Sequence, residues 1–269
     1  MPKNPWDYYG AGVFRSWLDA LRWVQADADG LPLGVDLLKA LHRLALKEHY
    51  FKGFEARRIQ AAFRTGRLSE TAKEALLRRL DGGERLYFSG ADHASLAGTF
   101  RSDPLDEFAH NGEQRLPDGT RYMTSAELEA VRRNPLLHLV EGGVRELGTD
   151  RYLGEALYPR VKDVAPLVES ILRDAGRELA GAKDPGQVIG AVTRMQRALL
   201  TVHPFLDGNG RTIRLLADLL YQRHGLPPPL EPFETEVLSA PAALLAWTVR
   251  QMDRYCEELE RRLGARRPR

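Results

Sequence analysis

One short loop of the chain holds the residue types that phosphate chemistry requires. It runs from His203 to Arg211 and has the sequence HPFLDGNGR. Gly208 and Gly210 allow backbone angles that residues with a Cβ resist, so successive N–H groups can turn into one concave anion site. A helix is predicted to follow, and the N–H groups and positive dipole at its N-terminus favour phosphate in the same place. The loop is therefore predicted to be a phosphate cradle.

Charged side chains beside this loop fit the same chemistry. Arg211 and Arg214 lie on neighbouring positions of one helical face and can form forked bonds to outer phosphates. Asp207 can hold Mg²⁺ against phosphate oxygens, because Mg²⁺ often takes one carboxylate together with substrate phosphates and water. His203 can accept a proton near neutral pH and is a candidate general base. Simpler interpretations, a tight turn and a pair between Arg214 and Asp218, stay open at this point.

Two amphipathic helices have to hold this loop in place. Apolar residues at three- and four-residue steps predict a helix over 187–202 that enters the loop and a helix over 212–224 that leaves it. The same pattern predicts the other helices, which lie within 37–63 and over 69–80, from Thr124 or Ser125 toward Arg133, and over 161–179 and 240–263. Segments 143–147 and 152–158 flank a Gly-Thr-Asp turn and predict a small β-hairpin. The predicted fold class is mainly α.

Turn-forming residues divide the chain into parts. Asp-Pro, Asn-Gly and Pro-Asp-Gly sequences between residues 102 and 124 predict an irregular connection rather than a helix or strand. We therefore predict an N-terminal helical region with this connection over 1–115, a core over 116–263 that contains the loop, and a basic tail over 264–269.

The composition indicates a globular protein without a strong electrostatic preference. Hydrophobic residues make up 43% of the chain and charged residues 28%, an ordinary balance for a packed domain. The 39 basic and 37 acidic residues leave a net charge of +2, so we expect neither nucleic acid nor an anionic membrane as a partner. Cys256 is the single cysteine, which excludes an internal disulfide. No stretch has the character of a membrane span or a signal peptide, and we expect a cytoplasmic protein.

The segment from His203 to Arg214, HPFLDGNGRTIR, resembles the signature of the Fic family, H-P-F-x-D/E-G-N-G-R-x-x-R, at every specified position. This resemblance implies a Fic (Fido) helical core with a small β-hairpin flap over the active loop. It also implies transfer of AMP from ATP to a Ser, Thr or Tyr hydroxyl of a target protein, with release of pyrophosphate. By position, the resemblance assigns the general base to His203, the Mg²⁺ ligand to Asp207, the anion hole to Gly208, Asn209 and Gly210, and the phosphate clamps to Arg211 and Arg214.

Variants within the family narrow the implied reaction. Related Doc proteins carry Lys at the position of Gly210 and use the nucleotide as a phosphate donor, so Gly210 favours nucleotidyl transfer. A phosphocholine-transferring branch carries Ala at the position of Gly208, which argues against that reaction. Transfer of UMP, a phosphate-donor reaction and a non-catalytic nucleotide-binding module remain the alternatives. The flap, assigned to 145–158, is expected to align a target by strand-like main-chain bonds.

Regulation is expected to differ from that of self-inhibited relatives. Those relatives carry an S/T-x-x-x-E-G/N helix, and the nearest match here, Ser125 to Ala130, ends in Ala. We therefore expect either a separate antitoxin-like inhibitor or a constitutively active enzyme. A bacterial toxin, a secreted effector and a housekeeping regulator all stay open.

Two further expectations concern surfaces away from the loop. The apolar stripe of the last predicted helix, from Leu245 to Leu263, is expected to pack on its own domain, with dimerisation left open. The histidines outside the loop are expected to be helix caps or solvated side chains, and these are His42, His49, His93, His110, His138 and His224.

Overall fold

The computed structural model describes residues 11–26, 30–107, 109–112, 123–146, 151–230 and 237–264. The predicted turn at 148–150 and the predicted tail beyond Gly264 lie outside these residues. The helices are α1 (Ala11–Ala26), α2 (Val35–Ala45), α3 (Lys52–Arg64), α4 (Glu70–Asp81), α5 (His93–Leu96), α6 (Ser125–Arg132), α7 (Val161–Gly181), α8 (Pro185–Val202), α9 (Asn209–Arg223) and α10 (Pro241–Gly264). The strands are β1 (Ala109–Gly112), β2 (Met123–Thr124), β3 (His138–Glu146) and β4 (Arg151–Leu157). The predicted mainly α class with a small β element is confirmed.

Local side chains explain where several helices begin. The Ser69 side chain accepts a hydrogen bond from the Ala72 amide and caps α4. At α6, the Thr124 hydroxyl accepts from the Glu127 amide at 3.2 Å, and the Glu127 carboxylate accepts from the Thr124 amide at 2.7 Å. This reciprocal capping box satisfies two amides that the helix itself cannot pair. Both predicted helix starts are therefore confirmed.

The sheet is larger than the predicted hairpin. β3 and β4 pair antiparallel, with a bulge between Leu139 and Val144. β1 pairs with residues 154–157 of β4 and β2 pairs with residues 151–152, so both lie on the edge of β4 that β3 leaves open. The prediction of an irregular connection over 102–124 was wrong at these two strands. Their hydrogen-bond partners come from β4, and turn signals near the strands carry no information about such distant pairing.

One hydrophobic cluster joins the N-terminal helices to the helices that hold the loop. Its buried members include Leu38 and Leu46 from the α2 segment, Leu199 from α8, Phe205 from the loop and Leu216 from α9. Burial of each such side chain contributes about 1.5–3 kcal/mol. Because one cluster spans these elements, the N-terminal helices help to position the loop. The predicted domain boundary at 115/116 stays a prediction.

The last helix packs on its own domain only along part of its length. Met252 is buried and Leu245 packs against the core, whereas Val249, Leu259 and Leu263 are exposed. Part of the predicted stripe therefore packs on its own domain as expected, and dimerisation stays an open alternative. Within the described residues, no helix combines the length and apolarity needed to cross a bilayer.

Candidate active site

His203 ends the helix that enters the loop. α8 stops at Val202, and His203 follows with φ 50° and ψ 60°, in the left-handed region. A residue with a Cβ rarely adopts this conformation, although His is one of the more tolerant types. α8 therefore cannot continue beyond this residue. The surrounding structure has to hold this conformation.

Arg101 supports the turn at His203 through hydrogen bonds. Its fully buried guanidinium donates to the carbonyl of His203 at 2.7 Å, of Val202 at 3.0 Å and of Pro159 at 2.5 Å. Its backbone amide donates to the Pro204 carbonyl at 2.9 Å. Burial lowers the pKa of Arg101 to about 10, so the side chain stays charged at neutral pH. The bonds to Val202 and His203 satisfy carbonyls at the end of α8, which have no partner within the helix.

The ring of His203 stacks on Tyr158, just after the end of β4. The ring centroids are 4.6 Å apart and the planes are inclined by 20°. Tyr158 also lines a groove of about 680 Å³ together with Leu136, Leu157 and Arg160. The groove thus lies beside the residue predicted to act as base, between the start of β3, the end of β4 and the start of α7.

The helix that leaves the loop begins earlier than predicted. α9 starts at Asn209 rather than Thr212, and its first internal bond runs from the Thr212 amide to the Gly208 carbonyl at 3.0 Å. The buried Asn209 side chain explains the early start, because it pairs with both the amide and the carbonyl of Phe205, each at 2.9 Å. Asn209 and Gly210 therefore present amides from the first helical turn, which lack acceptors within the helix.

A Cβ added to either glycine of the loop would lie close to a neighbouring side chain. Gly208 has φ 73°, and a Cβ built on it would lie 2.6 Å from Cδ2 of Leu46. A Cβ on Gly210 would lie 3.2 Å from Nη1 of Arg214. Gly208 is thus required both by its backbone angle and by the buried leucine. Gly210 lets the Arg214 guanidinium approach the first turn of α9.

Asp207 is held by hydrogen bonds at both carboxylate oxygens. The Gly208 amide donates to Oδ1 at 2.5 Å, and Nε2 of His49 lies 2.8 Å from Oδ2. Nη2 of Arg211 lies 3.9 Å from Oδ1. Burial acts to raise the pKa of Asp207, but the hydrogen bond from His49 and the fields of His49, Arg211 and the Gly208 amide outweigh it and lower the pKa to about 2. The carboxylate is therefore ionised at neutral pH.

Arg211 and Arg214 line a second cavity, on the α1 side of α9. This cavity has about 470 Å³ and is bounded by Trp17 from α1 and Tyr255 from α10. Asp218 lies in the same wall, and burial raises its pKa to about 7, against the opposing charge of Arg214. The structure thus brings both predicted phosphate clamps to one cavity beside the first turn of α9.

Three histidines contradict the expectation of caps or solvated side chains. His42, His49 and His93 are buried, whereas His138 and His224 are exposed and the side chain of His110 lies outside the described residues. The ring of His42 stacks on Phe205 with centroids 3.8 Å apart. Nδ1 of His42 accepts from the Gly98 amide at 2.6 Å, which leaves Nε2–H to donate to the Asp207 carbonyl at 3.0 Å.

The sequence offered no local signal for His42, His49 or Arg101. His42 and His49 lie 165 and 158 residues from Asp207 along the chain, and Arg101 lies 102 residues from His203. Each of these contacts depends on how helices pack, and no spacing within a short window encodes that. In the near-match to an inhibitory helix, Glu129 pairs with Arg133 one turn later at 2.9 Å. The expectation about inhibition stays a prediction.

The residues present fit a magnesium site to which the protein contributes few ligands. Asp207 is ionised, and 44% of its side-chain surface is exposed. A carboxylate has about four lone-pair sites, so its two hydrogen bonds leave room for a cation. Among the described residues, no group of three or more His, Cys, Asp and Glu could hold a metal by itself. Asp207 therefore suits Mg²⁺ that is bound mainly by substrate phosphates and water.

Comparison with known proteins finds similarity over the part of the chain that contains the loop. Residues 122–221 match the model of the Fic/DOC family. A segment of 114 residues is 32% identical to the protein adenylyltransferase Fic of Drosophila mojavensis and covers 41% of this chain and 22% of that protein. A segment of 37 residues is 60% identical to the protein adenylyltransferase fic-1 of Caenorhabditis elegans and covers 14% of this chain and 7% of that protein. The chain thus matches less than a quarter of the length of these relatives.

Proposed function

We propose that this chain, which belongs to the Fic/DOC family through residues 122–221, transfers AMP from ATP to a hydroxyl side chain of a target protein and releases pyrophosphate. The observation that carries the proposal is the first turn of α9. Its amides at Asn209 and Gly210 lack acceptors within the helix, and the ionised Asp207 precedes them. Anions are favoured at such a helix terminus, and here clamps and a cation ligand accompany it.

Arg211 and Arg214 would stabilise the leaving group. Attack at the α-phosphorus expels pyrophosphate, so negative charge grows on the β- and γ-phosphates as the reaction proceeds. Guanidinium groups can form paired hydrogen bonds to those oxygens. When bound, Mg²⁺ held by Asp207 would neutralise phosphate charge. The names of the relatives, protein adenylyltransferases, support this direction of transfer.

His203 would accept the proton of the attacking hydroxyl. Its left-handed backbone angles are held by Arg101, and its ring is oriented by Tyr158. A Ser, Thr or Tyr hydroxyl is a weak nucleophile until it loses its proton, and a positioned base contributes about 10²–10⁴ in rate. The groove beside Tyr158 would admit the target side chain.

The target's main chain would pair with β3. Both edges of β4 are occupied within the described residues, by β3 on one side and by β1 and β2 on the other. The outer edge of β3 therefore offers the unpaired backbone groups that an added strand requires. This proposal refines the flap predicted over 145–158, because it assigns the receiving edge to one strand.

The test uses ATP labelled at the α-phosphate, Mg²⁺ and a cell lysate as the source of targets. Wild-type protein should transfer label to a protein band, and His203→Ala should lower the initial rate by about 10²–10⁴. His224→Ala is the matched control, because His224 is an exposed histidine at the far end of α9. It should retain the wild-type rate.

Parallel labels separate the alternatives. Label that arrives only from γ-labelled ATP would indicate a phosphate-donor reaction, and label from α-labelled UTP alone would indicate UMP transfer. Measurable ATP binding without transfer in any lysate would indicate a non-catalytic module. Any of these three results would overturn AMP transfer. Mass spectrometry of the labelled band would identify the modified residue.

A further inference from the structure

His49 lies outside the segment that matches the family, yet it contacts the predicted metal ligand. It belongs to the connection between α2 and α3, and only 5% of its side chain is exposed. Nε2 lies 2.8 Å from Oδ2 of Asp207. The ring packs edge-on against Phe51 with centroids 4.9 Å apart. The N-terminal part of the chain thus reaches into the candidate site.

The hydrogen bonding of His49 differs from that of the other buried histidines. His93 accepts at Nδ1 from the Phe51 amide and bonds Glu55 through Nε2, and His42 also uses both ring nitrogens. In His49, Nδ1 is buried and has no hydrogen-bond partner in the part of the chain that the structure describes. A buried polar atom left in this way costs about 1–3 kcal/mol. Among the described residues, Asp207 is therefore the one hydrogen-bond partner of the His49 ring.

This contact fixes the orientation of the Asp207 carboxylate. The amide of Gly208 binds Oδ1 and His49 binds Oδ2, so rotation about either side-chain bond breaks one hydrogen bond. Nε2 carries a hydrogen toward the carboxylate whether the ring is neutral or protonated, because a carboxylate can only accept. The remaining lone pairs keep a constant direction, which would favour cation binding at this carboxylate.

We propose that His49 is a positioning residue for Asp207, and that it raises the affinity of the site for a divalent cation bound together with nucleotide. The inference rests on the proposed function, since it takes Asp207 as the cation ligand. It also assigns part of the nucleotide site to the N-terminal helical region. The segment 122–221 would then lack a complete cation site on its own.

The test measures cation binding directly and does not depend on transfer. Mn²⁺ is titrated into the full-length protein in the presence of α,β-methylene-ATP, and free Mn²⁺ is followed by electron paramagnetic resonance. His49→Ala and His49→Asn should weaken Mn²⁺ binding about tenfold or more, the usual loss when a partner of a metal ligand is removed. His49→Gln places an amide N–H near the position of Nε2 and should restore most of the affinity. Asn places its amide near Nδ1 instead, away from Asp207.

His93→Gln is the matched control for a general disturbance of the subdomain. It alters a buried histidine of the same region that bonds Glu55 rather than Asp207. Its Mn²⁺ affinity should stay at the wild-type value. If His49→Ala does not fold, the comparison of His49→Gln with His49→Asn gives the same answer.

The outcomes separate this inference from the proposed function. Equal affinity of the wild type, His49→Ala and His49→Asn would overturn the positioning role and leave the proposed function standing. Equal losses in His49→Gln, His49→Asn and His93→Gln would also overturn it, because the effect would then be general. Failure of the wild-type protein to bind Mn²⁺ with nucleotide would overturn both proposals.

Discussion

Replacement of Gly208 by Ala should destabilise the protein through two separable effects. The backbone angle of φ 73° costs a residue with a Cβ about 1–2 kcal/mol. The added methyl would also lie 2.6 Å from Cδ2 and 2.9 Å from Cδ1 of Leu46, which is 1% exposed and packed in the core. Overpacking of this kind costs about 1–3 kcal/mol. The sum predicts a loss of about 2–5 kcal/mol in the free energy of unfolding.

A matched glycine isolates the backbone part of this loss. Gly225 has φ 69°, and a Cβ on it would meet no atom within 4 Å. Gly225→Ala should therefore cost only about 1–2 kcal/mol. The contact part is isolated by repeating Gly208→Ala in a Leu46→Ala background, where the colliding carbons are gone. There the added cost should fall to the value for Gly225→Ala, although Leu46→Ala alone costs about 2–5 kcal/mol.

Urea unfolding followed by tryptophan fluorescence measures all four variants and the wild type. The coupling energy between positions 46 and 208 should be about 1–3 kcal/mol. Two results would refute the reasoning. One is a cost of Gly208→Ala no greater than that of Gly225→Ala. The other is a cost of Gly208→Ala that is the same with and without Leu46.

Two further predictions concern Arg101 and Asp218. Arg101→Met should lower the free energy of unfolding, measured in urea, by about 3–5 kcal/mol. The reason is that the substitution leaves the carbonyls of His203 and Pro159 without their donor. A loss below about 1 kcal/mol would contradict the supporting role of Arg101. Burial raises the pKa of Asp218 from 3.8 to about 7, so the unfolded chain releases this proton first and stability falls as pH rises through that window. Asp218→Asn removes this titration. In urea unfolding, the free energy of unfolding of the variant minus that of the wild type should therefore grow by up to about 4 kcal/mol between about pH 4 and pH 8. If the two free energies change with pH in parallel, the raised pKa of Asp218 is contradicted.

The helical framework could be predicted because its determinants are local. Apolar residues repeat along 187–202 with the period of a helix, and the observed α8 covers that range. The start of α9 was predicted three residues too late. Gly-Asn-Gly has the composition of a turn, but the Asn209 side chain bonds back to Phe205 and extends the helix to that residue.

The β structure was only partly predictable, for the opposite reason. The β3–β4 pairing is local, because the two strands lie close together in the sequence. β1 exists because Asn111 and its neighbours pair with β4, far along the chain. The energy of a strand comes from its partner, so a segment with turn residues can still pair when a matching edge is available.

The sequence by itself determined the chemical content of the loop, because the spacing of His203, Asp207 and Arg211 within a few residues already implies a base, a cation ligand and a phosphate clamp. Only the tertiary structure decided how those groups are held. Arg101 supports the turn at His203, and His49 binds the carboxylate of Asp207. Both supports act through hydrogen bonds whose donors and acceptors meet only when α1 and α2 pack against α9 and the segment after α5 reaches the end of α8. Such contacts depend on three-dimensional packing, and the one-dimensional pattern of the chain does not encode them in any short segment.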